Sequence, residues 1–371
     1  MTTGPRILIL ADPYGKPSYA PRLRFLCDYL ATKGYSLSVY TEAYQPHDFP
    51  HAYPICEKPV WAGSFRWAIR SLWSLLTDYR NRRFSAWVQR QIVGQRFDLV
   101  FCTTFSTFPL RAAYEVACQK HLPLFVDIRD LDEQVPNAQY QAHRQWWARP
   151  FRKWYRNVNI HRRNRVLRKA DCITTVSPWH VEFIRSLNPN VHLIYNGFDP
   201  VQFYHKPSYS DTFLITYIGK IYEFQNMSLV ERAVRELNIT DIRLNLHTPD
   251  YNTIPVTAVG DELRRSGIAV VLTNPAAHGM MTTKFFEALG CEKPVLCVPS
   301  DEGCLAQTIR ETNAGIATSD MEEIKAFVLE KYREWKTNGF TRQPVINKSR
   351  FSRLHQAEQF EQLFLQLIKQ Q

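Results

Sequence analysis

The sequence predicts an α/β protein with two parallel-sheet domains, and three observations carry that prediction. A chain of 371 residues is too long for one ordinary core and fits two domains of roughly 150–200 residues each. Short apolar runs alternate with helix-length segments, the pattern of strands covered on both faces by crossover helices. The alternation halts around 199–212, in DPVQFYHKPSYSDT, which is rich in turn formers, and restarts immediately afterwards.

In order, the strand-like runs are ILIL (7–10), LSVY (37–40), DLVFCT (98–103), LFVDI (124–128), CITTV (172–176) and HLIYN (192–196). After the break come FLITYIG (213–219), IRLNLH (242–247), IAVVL (268–272) and PVLCV (294–298). The helix between the first two runs ends at Gly34, a natural C-cap. The expected domains are 1–200 and 201–350, followed by a last helix over 351–371. That helix carries Phe351, Leu354, Ala357, Phe360, Phe364, Leu367 and Ile368 at helical spacing and needs a surface to lie on. Periodicity leaves open which domain supplies that surface, a crossing back to the N-terminal one included.

Composition narrows the function classes. A hydrophobic fraction of 45% excludes disorder, and a net charge of +11 points to anionic partners. No cysteine pair has C-x-x-C spacing, no secretory signal starts the chain, and no apolar run approaches the ~20 residues that cross a bilayer. The expectation is a cytoplasmic protein with free thiols. No G-x-G-x-x-G follows the first strand, which disfavours a nicotinamide-dependent oxidoreductase, and no G-x-x-x-x-G-K-(S/T) loop is present.

The most informative stretch is VVLTNPAAHGMMTTKFFEALGCEKPVLCVPS, residues 271–300. A strand ends at Asn274-Pro275, and a loop containing Gly279 leads into a helix starting near Thr282 or Thr283 and ending around Gly290. A glycine-containing loop that feeds a helix N-terminus is a ready anion site, because free N–H groups and the helix dipole face the ligand. Lys284 puts a cation in the first turn, where the dipole disfavours it unless an anion is expected. Glu287, one turn in, is placed to accept hydrogen bonds from ribose hydroxyls. On spacing alone, an ordinary surface helix start fits equally well.

The segment TTKFFEALGCEKPVL resembles the donor-binding signature of retaining GT-B glycosyltransferases of family four, roughly P-(S/T)-K-x-x-E-(Y/A)-x-A-x-G-K-P-V-L. Other segments follow that family in order: ADCITTVSPWHVEFI (170–184), IYNGFDPVQF (194–203), TYIGKIYEFQNMSLV (216–230) and DEGCLAQTIRETNAGI (301–316). The resemblance implies two Rossmann-like domains facing a cleft, with a nucleotide diphosphate sugar as substrate, held mainly by the C-terminal domain. It implies sugar transfer with retention and neither a metal nor a cofactor. Glu287 would hold the ribose. The backbone of Gly279, Met280, Met281, Thr282 and Thr283 would approach the sugar and diphosphate, with Lys284 nearby and Lys220 as a further phosphate ligand. Gly219 would let the chain pass close to the diphosphate. The sequence departs from the family at three points: Gly279 stands where a glutamate often lies; the basic pair that usually follows the glycine turn is missing, Lys220 being present but 225–226 reading Gln-Asn; and the usual glycine pair of the first loop is a single Gly15.

In the N-terminal half, LILADPYGKPSYAPRLRFL is similar to the family's first loop and helix, which would place Gly15 and Arg24 over the reaction cleft. FVDIRDLDEQ (125–134) ends a strand with Asp127, Arg129 and Asp130, where ligands bind in open α/β sheets. Asp127 or Asp130 would take the acceptor hydroxyl's proton or orient the acceptor; the plain alternative is an Asp–Arg pair tying the loop. Asp130-Leu131-Asp132 spells D-x-D by chance in this context.

Two basic aromatic stretches complete the reading. Residues 61–96 read as helix, with Phe65, Ile69, Leu72, Trp73 and Leu76 on one face. Residues 141–170 hold ten Lys/Arg, no acid, and Trp146, Trp147, Phe151, Trp154 and Tyr155. Basic surface mixed with tryptophan suits an anionic membrane surface, hence a lipid-linked or glycan acceptor in surface polysaccharide synthesis and attachment to the inner face of the cytoplasmic membrane. Packed helices with a solvated basic face are the alternative; nucleic acid is not expected, since no binding module accompanies the charge. The rival functions are a nucleotide-sugar epimerase of the same architecture and a non-catalytic membrane- or nucleic-acid-binding module.

Overall fold

The structure, a computed structural model, describes residues 4–12, 21–43, 52–56, 65–105, 107–134, 149–222, 225–277 and 279–370. It divides into two compact units. The first comprises Met1–Glu133, Tyr140–Ile194 and Ala357–Gln371; the second comprises Gln134–Gln139 and Tyr195–Gln356.

The first unit is built on β1 (Arg6–Ala11), β2 (Ser36–Ala43), β3 (Ala52–Cys56), β4 (Leu99–Thr104), β5 (Leu124–Ile128), β6 (Cys172–Thr175) and β7 (Val191–Leu193). They form one parallel sheet in the order β3-β2-β1-β4-β5-β6-β7. The six expected runs are all strands. Sequence reading missed β3, whose Pro54 removes a ladder donor and suits it to its edge position. The helices are α1 (Pro21–Thr32), α2 (Phe65–Thr77), α3 (Tyr79–Gln91), α4 (Leu110–Lys120), α5 (Arg149–Leu167) and α6 (Pro178–Arg185). α1 stops where expected, with Gly34 at φ +84.

The single helix expected over 61–96 is instead two. Asp78 adopts a left-handed φ of 53 and separates α2 from α3. Its carboxylate repays that strain by pairing with Arg111 at 3.2 Å and accepting from Asn81 Nδ2 at 2.9 Å. Residues 61–64 and 141–148, with Trp61, Trp146 and Trp147, lie outside the described residues.

In the second unit, β8 (Phe213–Ile218), β9 (Ile242–His247), β10 (Ile268–Leu272), β11 (Val295–Val298) and β12 (Gly315–Ala317) form a parallel sheet ordered β12-β11-β10-β8-β9. Its helices are α7 (Ser228–Leu237), α8 (Val259–Arg265), α9 (Thr283–Gly290), α10 (Cys304–Thr312) and α11 (Met321–Asn338). Both sheets are parallel with helices around them, as the apolar runs predict. In the second sheet the short β12, three residues long, carries too little pattern to have been read. The last helix, α12 (Arg353–Lys369), sends Phe360 and Phe364 into the first unit's core. Their rings meet Phe101 at 5.7 and 5.1 Å and Phe125 at 6.0 and 4.9 Å.

Strand order locates the crevices. The direction in which successive strands are added reverses between β8 and β10 in the second sheet and between β1 and β4 in the first, and open α/β sheets bind ligands beyond the C-terminal ends at such points.

Candidate functional site

At the reversal point of the second sheet, β8 runs out at Ile218 into Gly219, and β10 leads through residues 273–282 into α9. Gly219 has φ +125, and its N–H donates to the His247 carbonyl at the end of β9 at 2.8 Å. A Cβ there would lie 2.5 Å from Lys284 Cε and 3.0 Å from Nζ. The glycine thus serves twice: it takes a backbone conformation that side chains avoid, and it leaves the space Lys284 crosses. Lys284 lies over the Tyr217 ring at 5.6 Å, and the Tyr217 hydroxyl donates to the Lys220 carbonyl at 2.8 Å. Lys220 itself is exposed beside Tyr222.

Lys284 makes no hydrogen bond or ion pair among the described residues, and burial lowers its pKa. Three residues on, Glu287 is buried enough that its carboxyl is pushed up to about 7, against the pull of Arg353 and Lys284. Its carboxylate also lacks a hydrogen-bond partner among the described residues. Lys284 and Glu287 are partly exposed, one helical turn apart, and the polar groups of a ligand would complete both.

The loop that introduces α9 is held from several sides. Gly279 takes φ +65, so a glutamate at this position would sit in the left-handed region. Asn196 Nδ2 donates to the Met281 carbonyl at 3.3 Å, and the Met281 side chain is buried, while Met280 is partly exposed. Thr282 is the N-cap residue with an extended backbone but no side-chain cap, and Thr283 is exposed. The first-turn N–H groups of α9 therefore have no side chain of their own helix closing them.

The Gln-Asn at 225–226 has a local role. Gln225 Nε2 donates to the Leu272 carbonyl at 2.7 Å, tying the loop after β8 to the end of β10. Sequence reading also missed Arg353. It is 6% exposed, its Nε has no hydrogen-bond partner among the described residues, and its charge acts on Glu287 and Asp199. Nothing local marks it: it is one more arginine at the start of an amphipathic helix.

At the reversal point of the first sheet, the strand register brings Thr103, Asp127 and Thr174 side by side across β4, β5 and β6. Both threonine hydroxyls donate to Asp127, at 2.9 and 2.8 Å, and Arg22 lies 3.3 Å from Oδ1. Arg22 also donates to the Ile194 carbonyl at 2.9 Å and stacks on Phe360 at 5.0 Å. Asp127 is 2% exposed, with both oxygens engaged. Next to it, Arg129 Nη2 bonds both oxygens of Asp12, at 2.9 and 2.7 Å. Burial raises the Asp12 pKa, against the pull of Arg129. Arg22, Thr103, Asp127, Arg129 and Phe360 line a small recess. Asp130 is exposed past the end of β5, and Arg24 is partly exposed on α1; it is Arg22, two residues earlier, that turns to Asp127. Gly15 lies outside the described residues.

Comparison with known proteins bears on both units. Residues 22–202 match the family model described as Glycosyltransferase Family 4. No curated protein sequence matches the chain. Among solved structures, sucrose-phosphate synthase from Thermosynechococcus elongatus is similar with a TM-score of 0.68 at 17% identity, covering 99% of this chain and 100% of that one. HepE from Anabaena, in complex with UDP-glucose, has a TM-score of 0.66 at 13% identity, covering 97% and 99%. A putative UDP-N-acetylglucosamine 2-epimerase from Listeria monocytogenes has a TM-score of 0.55 at 12% identity, covering 95% and 94%. At these identities the neighbours establish the architecture alone, and the family match covers residues 22–202, just under half of the chain.

Proposed function

We propose that this chain, a GT-B glycosyltransferase with a family 4 domain over residues 22–202, moves a sugar from a nucleotide diphosphate donor to a glycan or lipid-linked acceptor of surface polysaccharide. The observation that carries the donor assignment is the placement of Lys284 against Gly219 at the sheet's switch point with Glu287 one helical turn on, each without a hydrogen-bond partner among the described residues. Glu287 accepts from the ribose hydroxyls. Lys284 and the open N–H groups at Thr282 and Thr283 face the diphosphate, Gly219 and Gly279 let the backbone approach it, and Lys220 reaches it from outside. The backbone of Met280 and Met281 lies along the sugar.

Transfer breaks the bond between the anomeric carbon and the donor's terminal phosphate oxygen and forms one to the acceptor hydroxyl. Negative charge grows on the leaving diphosphate, and Lys284 with the α9 N-terminus stabilises it where it develops. The acceptor's proton leaves to a base at the end of β5. There Asp130 is the exposed carboxylate, while Asp127, locked by Thr103, Thr174 and Arg22, positions the β5 end. Configuration at the anomeric carbon is retained. No step calls for a metal or cofactor.

A thermal-unfolding panel with UDP, GDP, dTDP, CDP and ADP tests the donor site. Ligand at about 100 times its dissociation constant adds ~2.7 kcal/mol, several degrees in a protein of this size. A shift with one diphosphate names the donor base; none at millimolar ligand refutes the site. The Listeria neighbour keeps an epimerase in view, and incubation with a nucleotide sugar alone separates the two. An epimerase converts the sugar without acceptor, and this protein should not.

A further inference from the structure

Charged side chains at the start of a helix normally reach into water. Arg353 opens α12, and Gln356 stands three residues on, hence on the same helical face. Both turn inward, at 6% and 2% exposed. The Arg353 Nε and both polar atoms of the Gln356 amide have no hydrogen-bond partner among the described residues. A cation at this place also opposes the dipole of its own helix. Burial and dipole both disfavour Arg353 here, so its charge is answered from outside α12.

Packing within the second unit fixes where that charge is delivered. The Phe198 N–H donates to the Phe351 carbonyl at 3.0 Å, and the Arg353 N–H donates to the Phe198 carbonyl at 2.8 Å. A Cβ on Gly197, at φ +62, would collide with the Gln356 amide, so the glycine makes room for it. The Phe351 ring meets Tyr195 at 5.1 Å and Phe286 at 5.7 Å, and Tyr195 meets Phe286 at 5.8 Å. Phe286 immediately precedes Glu287, and Phe351 lies two residues before Arg353. One aromatic cluster thus sets the start of α12 against the stretch of α9 that carries Glu287. The charges act accordingly. Burial pushes the Glu287 carboxyl up to about 7, and against it Arg353 acts more strongly than Lys284, a neighbour on the same helix as Glu287. Glu287 and Asp199 are the acids that act on Arg353, and the Glu287 charge also reaches the buried Cys291 thiol.

We propose that Arg353 is a positioning residue of the donor site, supplying from the first turn of α12 the positive charge that holds Glu287 as a carboxylate for the ribose hydroxyls. It acts through Glu287 rather than on the nucleotide. The inference rests on the donor-site reading above and adds a residue to it. Lys284 does not fill this role once the donor is bound, because the diphosphate takes up its charge. Arginine suits the task better than lysine: burial lowers the Arg353 pKa, but a guanidinium starts high enough to stay charged.

The test is calorimetric titration of the full-length wild type, Arg353→Met and Arg353→Lys with the tightest binder among UDP, GDP, dTDP, CDP and ADP. Arg353→Met should weaken it about tenfold at about pH 7 but about threefold or less at about pH 9, where Glu287 ionises without help. Arg353→Lys should stay within about threefold of wild type at about pH 7. The readout is the ratio of variant to wild type, so titration of Lys284 and of the diphosphate drops out. Should Arg353→Met not fold, Arg353→Gln takes its place. A second arm needs no nucleotide: the rise in unfolding midpoint from Glu287→Gln at about pH 8 should be larger, by several degrees, in the Arg353→Met background than in the wild type. A loss of affinity equal at both pH values, a loss in Arg353→Lys as large as in Arg353→Met, or equal rises in the two backgrounds overturns the proposal. If none of the five diphosphates binds the wild type, the donor reading falls and takes the proposal with it. If one binds and the variants miss these expectations, the proposal falls alone.

Discussion

Replacing Glu287 with glutamine separates a ligand-holding carboxyl from a structural one, because the two roles move stability in opposite directions. Burial raises its pKa from the ordinary 4.5 to about 7, even after the attraction of Arg353 and Lys284. A carboxyl with a raised pKa in the folded state makes stability fall as pH climbs. The penalty is absent below about 4.5, grows between 4.5 and 7, and is complete above that. At about 1.4 kcal/mol per unit, the full penalty is about 3 kcal/mol. Glutamine mimics the protonated form and escapes it, so Glu287→Gln is expected to raise the unfolding midpoint of the ligand-free protein at about pH 8 and to change it little at about pH 5.

Nucleotide binding should move the other way. Loss of hydrogen bonds from ribose to a charged acceptor weakens binding by about 1.5–3 kcal/mol, roughly 10- to 150-fold. In the wild type, ribose binding favours the ionised form. Nucleotide affinity should therefore be about tenfold weaker at about pH 6 than at about pH 8, and the variant should lose that part of the pH dependence. Because the diphosphate titrates in the same range, the readout is the difference between wild type and variant, measured by calorimetric titration at both pH values. Glutamine at 287 that leaves both the midpoint and the nucleotide affinity unchanged at about pH 8 refutes the reasoning.

Lys284→Ala should weaken a nucleoside diphosphate about 10- to 100-fold but the matching nucleoside far less, a contrast that equilibrium binding of the pair reports. Gly219→Ala forces a side chain into φ +125 and against Lys284, so both thermal stability, by about 1–3 kcal/mol, and diphosphate affinity should drop. Asp127→Ala removes the carboxylate beside the buried Arg22 and should destabilise the protein by about 3–5 kcal/mol in denaturant titrations. Asp130→Asn should leave stability within about 0.5 kcal/mol while lowering kcat; a kcat equal to wild type removes Asp130 from the chemistry. Gly279→Glu should cost about 1–2 kcal/mol from its left-handed φ, read as a lowered midpoint, without any gain in turnover.

Local order is what a sequence displays best, and the donor-side residues are local. The strand before Gly219, the loop with Gly279 and the helix carrying Lys284 and Glu287 each announce themselves by apolar runs, a glycine, and a cation where the dipole disfavours one. Parallel pairing follows from the same runs, because strands buried on both faces need no alternation. Asp78 shows where this fails: helical periodicity continues across 61–96, and a single left-handed residue held by Arg111 and Asn81 breaks it. The spacing of Phe360 and Phe364 shows that the last helix has an apolar face, whereas its partners Phe101 and Phe125 come from strands far away in the chain.

The polar parts of the two sites divide in the same way. Periodicity and the strand-end position by themselves brought Asp127 and Glu287 forward as acids where ligands gather. Only the tertiary structure determined that Asp127 is closed in by Thr103, Thr174 and Arg22, that the Arg353 charge acts on Glu287, and that Gln225 ties the end of β10. The physical reason is that secondary structure depends on neighbours within a few residues, whereas the charge state and engagement of a buried side chain depend on whatever the fold brings against it.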